Sequence, residues 1–148
     1  MERQELIKWL NSYRVAVARI HDLRKRRAQL SESLAHTPGF NYDGMPKGTT
    51  VTDGMDSVVK KLDRLAEIEA ELAQQEIVAR DYVAEILTAL NKLPEGSEGR
   101  RALELRHIDG LTILDACDKM NVSERTYWRL YNNAIDELLK AMEGTNGH

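Results

Sequence analysis

The sequence is poor in the residues that build disulfide-rich, β-rich or fibrous proteins. Its 148 residues include one cysteine, three prolines and nine glycines, and aromatic side chains make up 5%. A single cysteine excludes an internal disulfide and a zinc site built on several thiolates. Few prolines and aromatics argue against collagen and a β sandwich. We therefore expect a helical chain, long enough to bury a substantial core.

Long apolar runs are also missing. No stretch of about 18 apolar residues is present. The opening segment, MERQELIKWL, lacks the apolar core and small-residue cleavage site of a signal peptide. We therefore expect a cytoplasmic protein with no membrane association. The formal net charge of −3 gives no general argument for a nucleic-acid partner, so such a partner must be inferred from local features.

Charged residues are distributed unevenly along the chain. Residues 1–30 carry eight basic and three acidic side chains, whereas residues 54–99 carry five basic and ten acidic ones. Residues 100–148 are almost balanced, with seven basic and eight acidic side chains. The small net charge therefore conceals a basic segment and an acidic segment.

Both charged segments have the apolar periodicity of long helices. Steps of three or four residues separate most apolar positions of the first stripe, which are Leu6, Leu10, Tyr13, Val17, Ile20, Leu30 and Leu34. The second stripe consists of Met55, Val58, Leu62, Leu65, Ile68, Leu72, Ala79, Tyr82, Ile86 and Leu90. The segment between them is rich in glycine and proline, which predicts a loop over residues 36–54.

Two amphipathic helices joined by a loop pack most simply as a long antiparallel, coiled-coil-like hairpin, here over residues 1–93. Because an isolated helix pair leaves apolar edges exposed, we expect a partner for the N-terminal helices. We favour a second copy, as a homo-oligomer and preferably a dimer, with the C-terminal domain folding back as the alternative. The basic cluster Arg24–Arg27 has two interpretations, which are pairing with the acidic helix and contact with phosphates.

A glycine- and proline-containing linker at residues 94–99 separates the hairpin from a C-terminal domain at residues 100–148. In this domain, Thr112 is a suitable N-cap and predicts a helix from Ile113 to Met120. Asn121 suits the left-handed conformation of a tight turn, and Ser123 caps the next helix. The sequence thus predicts an all-α protein whose C-terminal domain has the helix, short turn and helix of a DNA-binding helix-turn-helix.

The spacing also separates a core face of the C-terminal domain from an exposed face. The predicted core consists of Leu111, Ala116, Met120, Val122, Tyr127, Leu130 or Tyr131, Ala134 and Leu138, with Cys117 as a small buried neighbour. The opposite face carries the candidate DNA-binding residues, which are Ser123, Glu124, Arg125, Thr126, Trp128, Arg129 and Asn132. Arg100 and Arg101 are further candidates for contacts with the DNA backbone.

The candidate residue types match the chemistry of double-stranded DNA. Arginines such as Arg125 and Arg129 bind guanine edges or phosphates, and an asparagine at Asn132 suits an adenine edge. A carboxylate at Glu124 accepts a hydrogen bond from the cytosine amine. The Ser123 hydroxyl and the first backbone amides of a helix bind a phosphate oxygen.

The stretch from Leu103 to Lys140, LELRHIDGLTILDACDKMNVSERTYWRLYNNAIDELLK, resembles region 4 of the sigma-70 superfamily. It is more closely similar to the phage late transcriptional regulators of the RinA-like and ArpU-like group. The shared residues are Leu105-Arg106, Gly110-Leu111-Thr112, Val122 followed by Ser123-Glu124-Arg125-Thr126, and Ala134 with Leu138. The loop GMPKG at residues 44–48 also resembles that group. The chain departs from the pattern with Asn121 at a frequent glycine, and with Leu114 and Trp128 at usually charged or polar positions.

The resemblance implies a DNA-binding regulator of phage late or packaging genes, acting in the cytoplasm of a bacterial host cell. Two alternatives stay open. One is a phage DNA-packaging recognition subunit of the small-terminase type, for which a ring of many copies is expected. The other is an adaptor that binds RNA polymerase through the same module. We expect no enzyme, cofactor or metal site, because Cys117 has no base near it in the sequence and the four histidines share no metal-binding spacing.

Overall fold

The computed structural model describes residues 1–36 and 49–146, and all regular secondary structure in these ranges is α-helical. The helices in chain order are α1 (Arg3–Ala35), α2 (Thr49–Leu90), α3 (Glu98–His107), α4 (Ile113–Met120) and α5 (Glu124–Asn146). The predicted all-α fold class is confirmed. Within the two described ranges, no helix combines the length and the apolar character that a membrane span requires.

The loop predicted over residues 36–54 is too long at its C-terminal end. Helix α2 begins at Thr49, so residues 49–54 are helical, including Gly54. A glycine inside a helix costs only about 1 kcal/mol relative to alanine and does not by itself end the helix. The GMPKG motif at residues 44–48 lies outside the described residues.

The chain forms two compact units, of which the first comprises Met1–Ala16 and Val78–His148. Its core is one cluster of buried residues, namely Leu6, Leu10, Ile86, Ala89, Leu90, Leu93, Ala102, Leu103, Leu105, Ala116, Cys117, Tyr127, Tyr131, Ala134, Ile135 and Leu138. In this unit the start of α1 lies beside the end of α2, as an antiparallel hairpin requires. The same apolar side chains also pack with α3, α4 and α5.

The second unit comprises Val17–Ile77 and consists of the remaining parts of α1 and α2. Its buried apolar residues are Ile20, Leu23, Leu34, Ile68 and Leu72. Two ion pairs join the helices, from Arg19 to Glu71 and from Arg24 to Glu76. The interpretation in which the basic segment pairs with the acidic helix therefore holds for Arg24.

The predicted apolar stripes are partly out of phase with the buried faces. On α1, Ala16 is 4% exposed whereas Val17 is 40% exposed. On α2, Met55 and Leu62 are 59% and 45% exposed. Each residue turns the helix by about 100°, so a change of one position moves a side chain off the buried line.

The predicted domain boundaries do not coincide with the limits of the compact units. Leu6 and Leu10 of α1 and Ile86 and Leu90 of α2 share the core of the C-terminal helices, so packing assigns both helix ends to the first unit. The division into a hairpin at residues 1–93, a linker at 94–99 and a domain at 100–148 stays a prediction about independent folding.

Candidate functional site

The C-terminal helices α4 and α5 are joined by a short turn with defined capping bonds. Thr112 caps α4, and its hydroxyl accepts a hydrogen bond from the backbone N–H of Asp115 at 3.2 Å. Asn121 has φ 57° and ψ 48°, the left-handed conformation, and it is the only non-glycine residue with positive φ in the described chain. The helix boundaries Ile113 and Met120 and the left-handed turn at Asn121 are confirmed.

Ser123 precedes α5 and caps it, as the sequence predicts. Its hydroxyl oxygen accepts a hydrogen bond from the backbone N–H of Thr126 at 3.1 Å. The two hydroxyl oxygens of Ser123 and Thr126 are 3.0 Å apart and hydrogen-bonded. A serine at this position satisfies one of the N–H groups that the first turn of a helix leaves unpaired.

The inner face of α5 is anchored in the core of the first unit. Tyr127, Ile135 and Leu138 are 0% exposed, and Tyr131 and Ala134 are also buried. The Tyr127 hydroxyl donates a hydrogen bond to the carbonyl oxygen of Ala102 on α3 at 3.0 Å. Burial raises the pKa of Tyr127 to about 12, so this hydroxyl stays protonated and remains a donor. The predicted core is confirmed at Ala116, Tyr127, Tyr131, Ala134 and Leu138, whereas Leu111, Met120 and Val122 are partly buried against it.

Helices α3 and α5 approach each other closely at Gly99. A Cβ atom built on Gly99 would lie 2.9 Å from the Cβ atom of Ala134 and 3.5 Å from the carbonyl oxygen of Leu130. Real Cβ atoms do not approach another carbon this closely, so the crossing requires glycine at this point of α3. Gly99 thus fixes the distance at which α3 supports α5.

The outer face of the first two turns of α5 presents most of the candidate DNA-binding residues. Glu124, Arg125 and Arg129 are exposed, and neither arginine forms an ion pair within the described residues. Trp128 is 39% exposed, and its ring packs edge-on against Tyr127 and Tyr131, with ring centroids 5.8 Å and 5.3 Å apart. These contacts hold the indole in place while one side stays open to solvent.

Asn132 lies on the same face but already has a partner. Its side-chain oxygen accepts a hydrogen bond from the guanidinium of Arg3, which also pairs with Asp136 one turn further along α5. The start of α1 therefore lies beside the third and fourth turns of α5. Arg125 and Arg129 lie on the first two turns of α5, ahead of the residues that Arg3 of α1 contacts.

Arg100 and Arg101, the two candidate DNA-binding residues on α3, differ in environment. Arg100 is half-buried, and its guanidinium donates to a carboxylate oxygen of Glu104 at 2.9 Å and to the side-chain oxygen of Asn91 at 2.7 Å. The bond to Glu104 lies within α3, and the bond to Asn91 joins α3 to the residue that follows α2. Together they occupy much of the guanidinium. Arg101 is exposed and makes no ion pair within the described part of the chain.

The buried imidazole of His107 is the main feature that the sequence does not reveal. His107 is 1% exposed, and its Nε2 atom lies 2.8 Å from the Tyr131 hydroxyl, while Nδ1 has no hydrogen-bond partner among the described residues. Burial, together with the positive charges of Arg106 and Arg14, lowers the pKa of His107 to about 4. The imidazole is therefore neutral at physiological pH and belongs to the core.

Cys117, Arg106 and Leu114 lie in three different environments. Cys117 is buried, as predicted, and burial raises the pKa of its thiol. Arg106 forms no ion pair within the described residues, and its guanidinium donates to the carbonyl oxygen of Leu111 at 2.8 Å. Leu114, which stands at a position that is usually charged or polar in the group that the chain resembles, is 67% exposed. Within residues 1–36 and 49–146, no group of His, Cys, Asp and Glu side chains is arranged to hold a metal ion.

The chain has a match among models of protein families. A family model described as "Protein of unknown function (DUF1492)" matches residues 47–139, which include all of α2, α3 and α4 and most of α5. No curated protein and no solved structure matches the chain. Because the matched segment covers more than half of the 148 residues, the chain belongs to the DUF1492 family.

Proposed function

We propose that the protein is a sequence-specific, double-stranded DNA-binding transcriptional regulator that acts through α4 and α5 as a helix-turn-helix. One observation carries the proposal: the first two turns of α5 expose Arg125, Trp128 and Arg129, while Tyr127 and Tyr131 anchor the opposite face. A helix that is rigidly held from behind and basic in front is suited to the major groove. The capped turn before Ser123 supports the same arrangement.

Each exposed residue has a distinct role in this proposal. Arg125 and Arg129 donate two hydrogen bonds each to guanine edges, and Glu124 accepts from a cytosine amine. Trp128, held edge-on by its two tyrosine neighbours, packs against a sugar or a thymine methyl group. The backbone N–H groups at the start of α5 and the Ser123 hydroxyl bind a phosphate, which fixes the position of the helix along the duplex.

The proposal also specifies which genes the protein regulates. The resemblance of residues 103–140 to RinA-like and ArpU-like regulators supports control of phage late or packaging genes. The match to the DUF1492 family is compatible with a phage-type protein.

We further propose that the protein binds DNA as a homo-oligomer, preferably a dimer, through its N-terminal helices. Met55, Val59 and Leu62 on α2 are 59%, 51% and 45% exposed and recur at steps of four and three residues. Such a stripe on a helix is suited to packing against another helix. Because residues 100–148 carry no excess of positive charge, a single module binds DNA weakly, and two linked modules gain affinity by avidity.

An electrophoretic mobility shift series tests DNA binding and the recognition helix together. Duplexes from the regulatory regions of the source genome are compared with unrelated duplexes over a range of salt concentrations. The wild-type protein is expected to prefer one regulatory duplex. The variants Arg125→Ala and Arg129→Ala are each expected to lose about 1–3 kcal/mol of binding free energy at that duplex.

Lys140→Ala is the matched control for these variants, because Lys140 is an exposed cation near the other end of α5. Its preference for the regulatory duplex should equal that of the wild type. If both arginine variants keep wild-type affinity and preference, the assignment of α5 as the recognition helix is wrong. If the wild type binds no duplex, the proposed function as a whole is wrong.

The exposed side chain of Leu114 favours a second candidate function, an adaptor that binds RNA polymerase through the same module. Leu114 is 67% exposed on α4, and an exposed leucine is suited to a protein contact. If the protein is such an adaptor, purified RNA polymerase is expected to bind the wild type, and Leu114→Ser is expected to abolish this binding. DNA binding without polymerase binding argues for the regulator alone.

A further inference from the structure

The second compact unit carries a concentrated positive charge near the end of α1 and the start of α2. Residues 24–36 and 54–64 hold seven basic and three acidic side chains. The excess falls in two groups, Arg24–Arg27 on α1 and Lys60–Arg64 on α2. Both groups belong to the same unit, Val17–Ile77.

Several of these cations have no acidic partner among the described residues. Arg24 pairs with Glu76 and Arg64 with Glu67. Lys25, Arg26 and Lys60 are exposed and form no ion pair within the described residues. Four consecutive cations surround a helix on all sides, so the acidic residues of α2 do not reach all of them.

A cleft lies against part of this surface. Its volume is about 470 Å³, and it is lined by Leu30 of α1 and by Asp56, Ser57, Lys60, Lys61 and Arg64 of α2. Three of the six lining side chains are basic and one is acidic. The cleft is therefore more suited to an anion than to an apolar ligand.

Like charges at these spacings destabilise the isolated helices. Lys60 and Arg64 are four residues apart, and Arg24 and Arg27 are three apart, which places each pair on one side of its helix, although Glu67 and Glu76 already pair with Arg64 and Arg24. An external polyanion relieves this repulsion when it binds. The charge pattern therefore fits a partner with closely spaced negative charges better than a neutral partner.

We propose that the basic surface formed by Lys25, Arg26, Lys60 and Arg64 binds the phosphate backbone of double-stranded DNA. This inference rests on the proposed function and deepens it. The C-terminal segment, residues 100–148, carries seven basic and eight acidic side chains and supplies little sequence-independent attraction to DNA. The basic surface supplies that attraction, while α5 supplies the preference for particular bases.

The triple variant Lys25→Gln/Arg26→Gln/Lys60→Gln tests the inference, because all three side chains are exposed and their replacement leaves the core intact. The dissociation constant is measured by fluorescence anisotropy against salt concentration, on the preferred duplex and on an unrelated one. The slope of log Kd against log salt is expected to decrease by about 0.9 for each phosphate that the variant no longer neutralises, or roughly 3 in total. Affinity is expected to decrease at least tenfold at low salt on both duplexes, with the preference between them retained.

Lys8→Gln/Lys140→Gln is the control, because it removes exposed cations of the first unit. The control should keep the wild-type slope. An unchanged slope in the triple variant overturns the inference while the preference of the wild type for one duplex still supports the proposed function. If the wild type binds neither duplex, both proposals fail. If only binding to anionic phosphatidylserine vesicles depends on the three cations, the partner is a lipid surface and the inference is also overturned.

Discussion

The side-chain oxygen of Asn132 accepts a hydrogen bond from the guanidinium of Arg3, 129 residues earlier in the chain. Arg3 also pairs with Asp136, so the first turn of α1 is tied to the outer face of α5. This contact divides that face into two parts. Glu124, Arg125, Trp128 and Arg129 remain open to a ligand, whereas the side chain of Asn132 is held by another part of the protein.

The first prediction concerns the role of Asn132 in reading DNA. An asparagine recognises adenine through both its side-chain oxygen and its NH₂ group. In Asn132 the oxygen already accepts a hydrogen bond from Arg3, so it is not available to adenine. Asn132→Ala is therefore expected to leave the base preference unchanged, whereas Arg129→Ala changes it. Affinities for single-base variants of the preferred duplex measure the difference. Loss of discrimination at one adenine in Asn132→Ala would show that Arg3 releases the side chain on binding.

The second prediction concerns the close crossing of α3 and α5. Gly99→Ala places a Cβ atom against the Cβ atom of Ala134. Both carbons are attached directly to helix backbones, so the clash is relieved only if one helix moves. We expect the free energy of unfolding to decrease by about 1–3 kcal/mol. Urea denaturation followed by far-ultraviolet circular dichroism measures it.

Gly144→Ala is the matched control for the crossing. Gly144 also lies in a helix of the first unit, and a Cβ atom there would meet nothing within 4 Å. Alanine at an open helical position is expected to leave stability unchanged or to raise it by up to about 1 kcal/mol. Equal effects of the two substitutions would contradict the account of Gly99.

The third prediction concerns pH and the buried imidazole of His107. The pKa is about 4 in the folded chain and about 6.5 in an unfolded one, so the unfolded chain binds the proton first as the pH falls. The free energy of unfolding should therefore decrease as pH falls from about 6.5 to 4, by roughly 3 kcal/mol in total from this group. Above pH 6.5 the contribution is constant.

His107→Leu is the variant that isolates this effect. It removes the titrating group and the bond to the Tyr131 hydroxyl, so we expect a lower stability at neutral pH and a flatter pH profile below it. Urea denaturation at several pH values measures both quantities. A variant with the full wild-type pH dependence would show that other groups cause it.

How much of this structure the sequence predicts depends on the range of the interaction. The caps at Thr112 and Ser123 and the turn at Asn121 are predicted correctly, because each depends on residues within four positions. The predicted buried face of α1 is partly wrong, because it contains Val17 whereas the structure buries the neighbouring Ala16. Which of two adjacent residues is buried depends on the helix that packs against α1. The contacts of Arg3 with Asn132 and of His107 with Tyr131 join distant parts of the chain, and periodicity carries no information about them.

The fourth prediction concerns self-association. Val59 on α2 is 51% exposed within the apolar stripe proposed as the oligomer interface, and Val59→Lys places a charge in that interface. We expect this variant to be monomeric by light scattering at concentrations where the wild type is dimeric. Val15→Lys is the control, because Val15 is 68% exposed on α1 outside that stripe. A wild type that forms a ring of many copies would instead favour a DNA-packaging subunit.

The central claim is that the first two turns of α5 read base sequence in duplex DNA. Selection of bound duplexes from a random-sequence library, followed by sequencing, tests it most directly. The wild type is expected to enrich one motif, and the folded double variant Arg125→Ala/Arg129→Ala is expected to enrich none. The claim is contradicted if the wild type enriches no motif, or if the double variant enriches the same one.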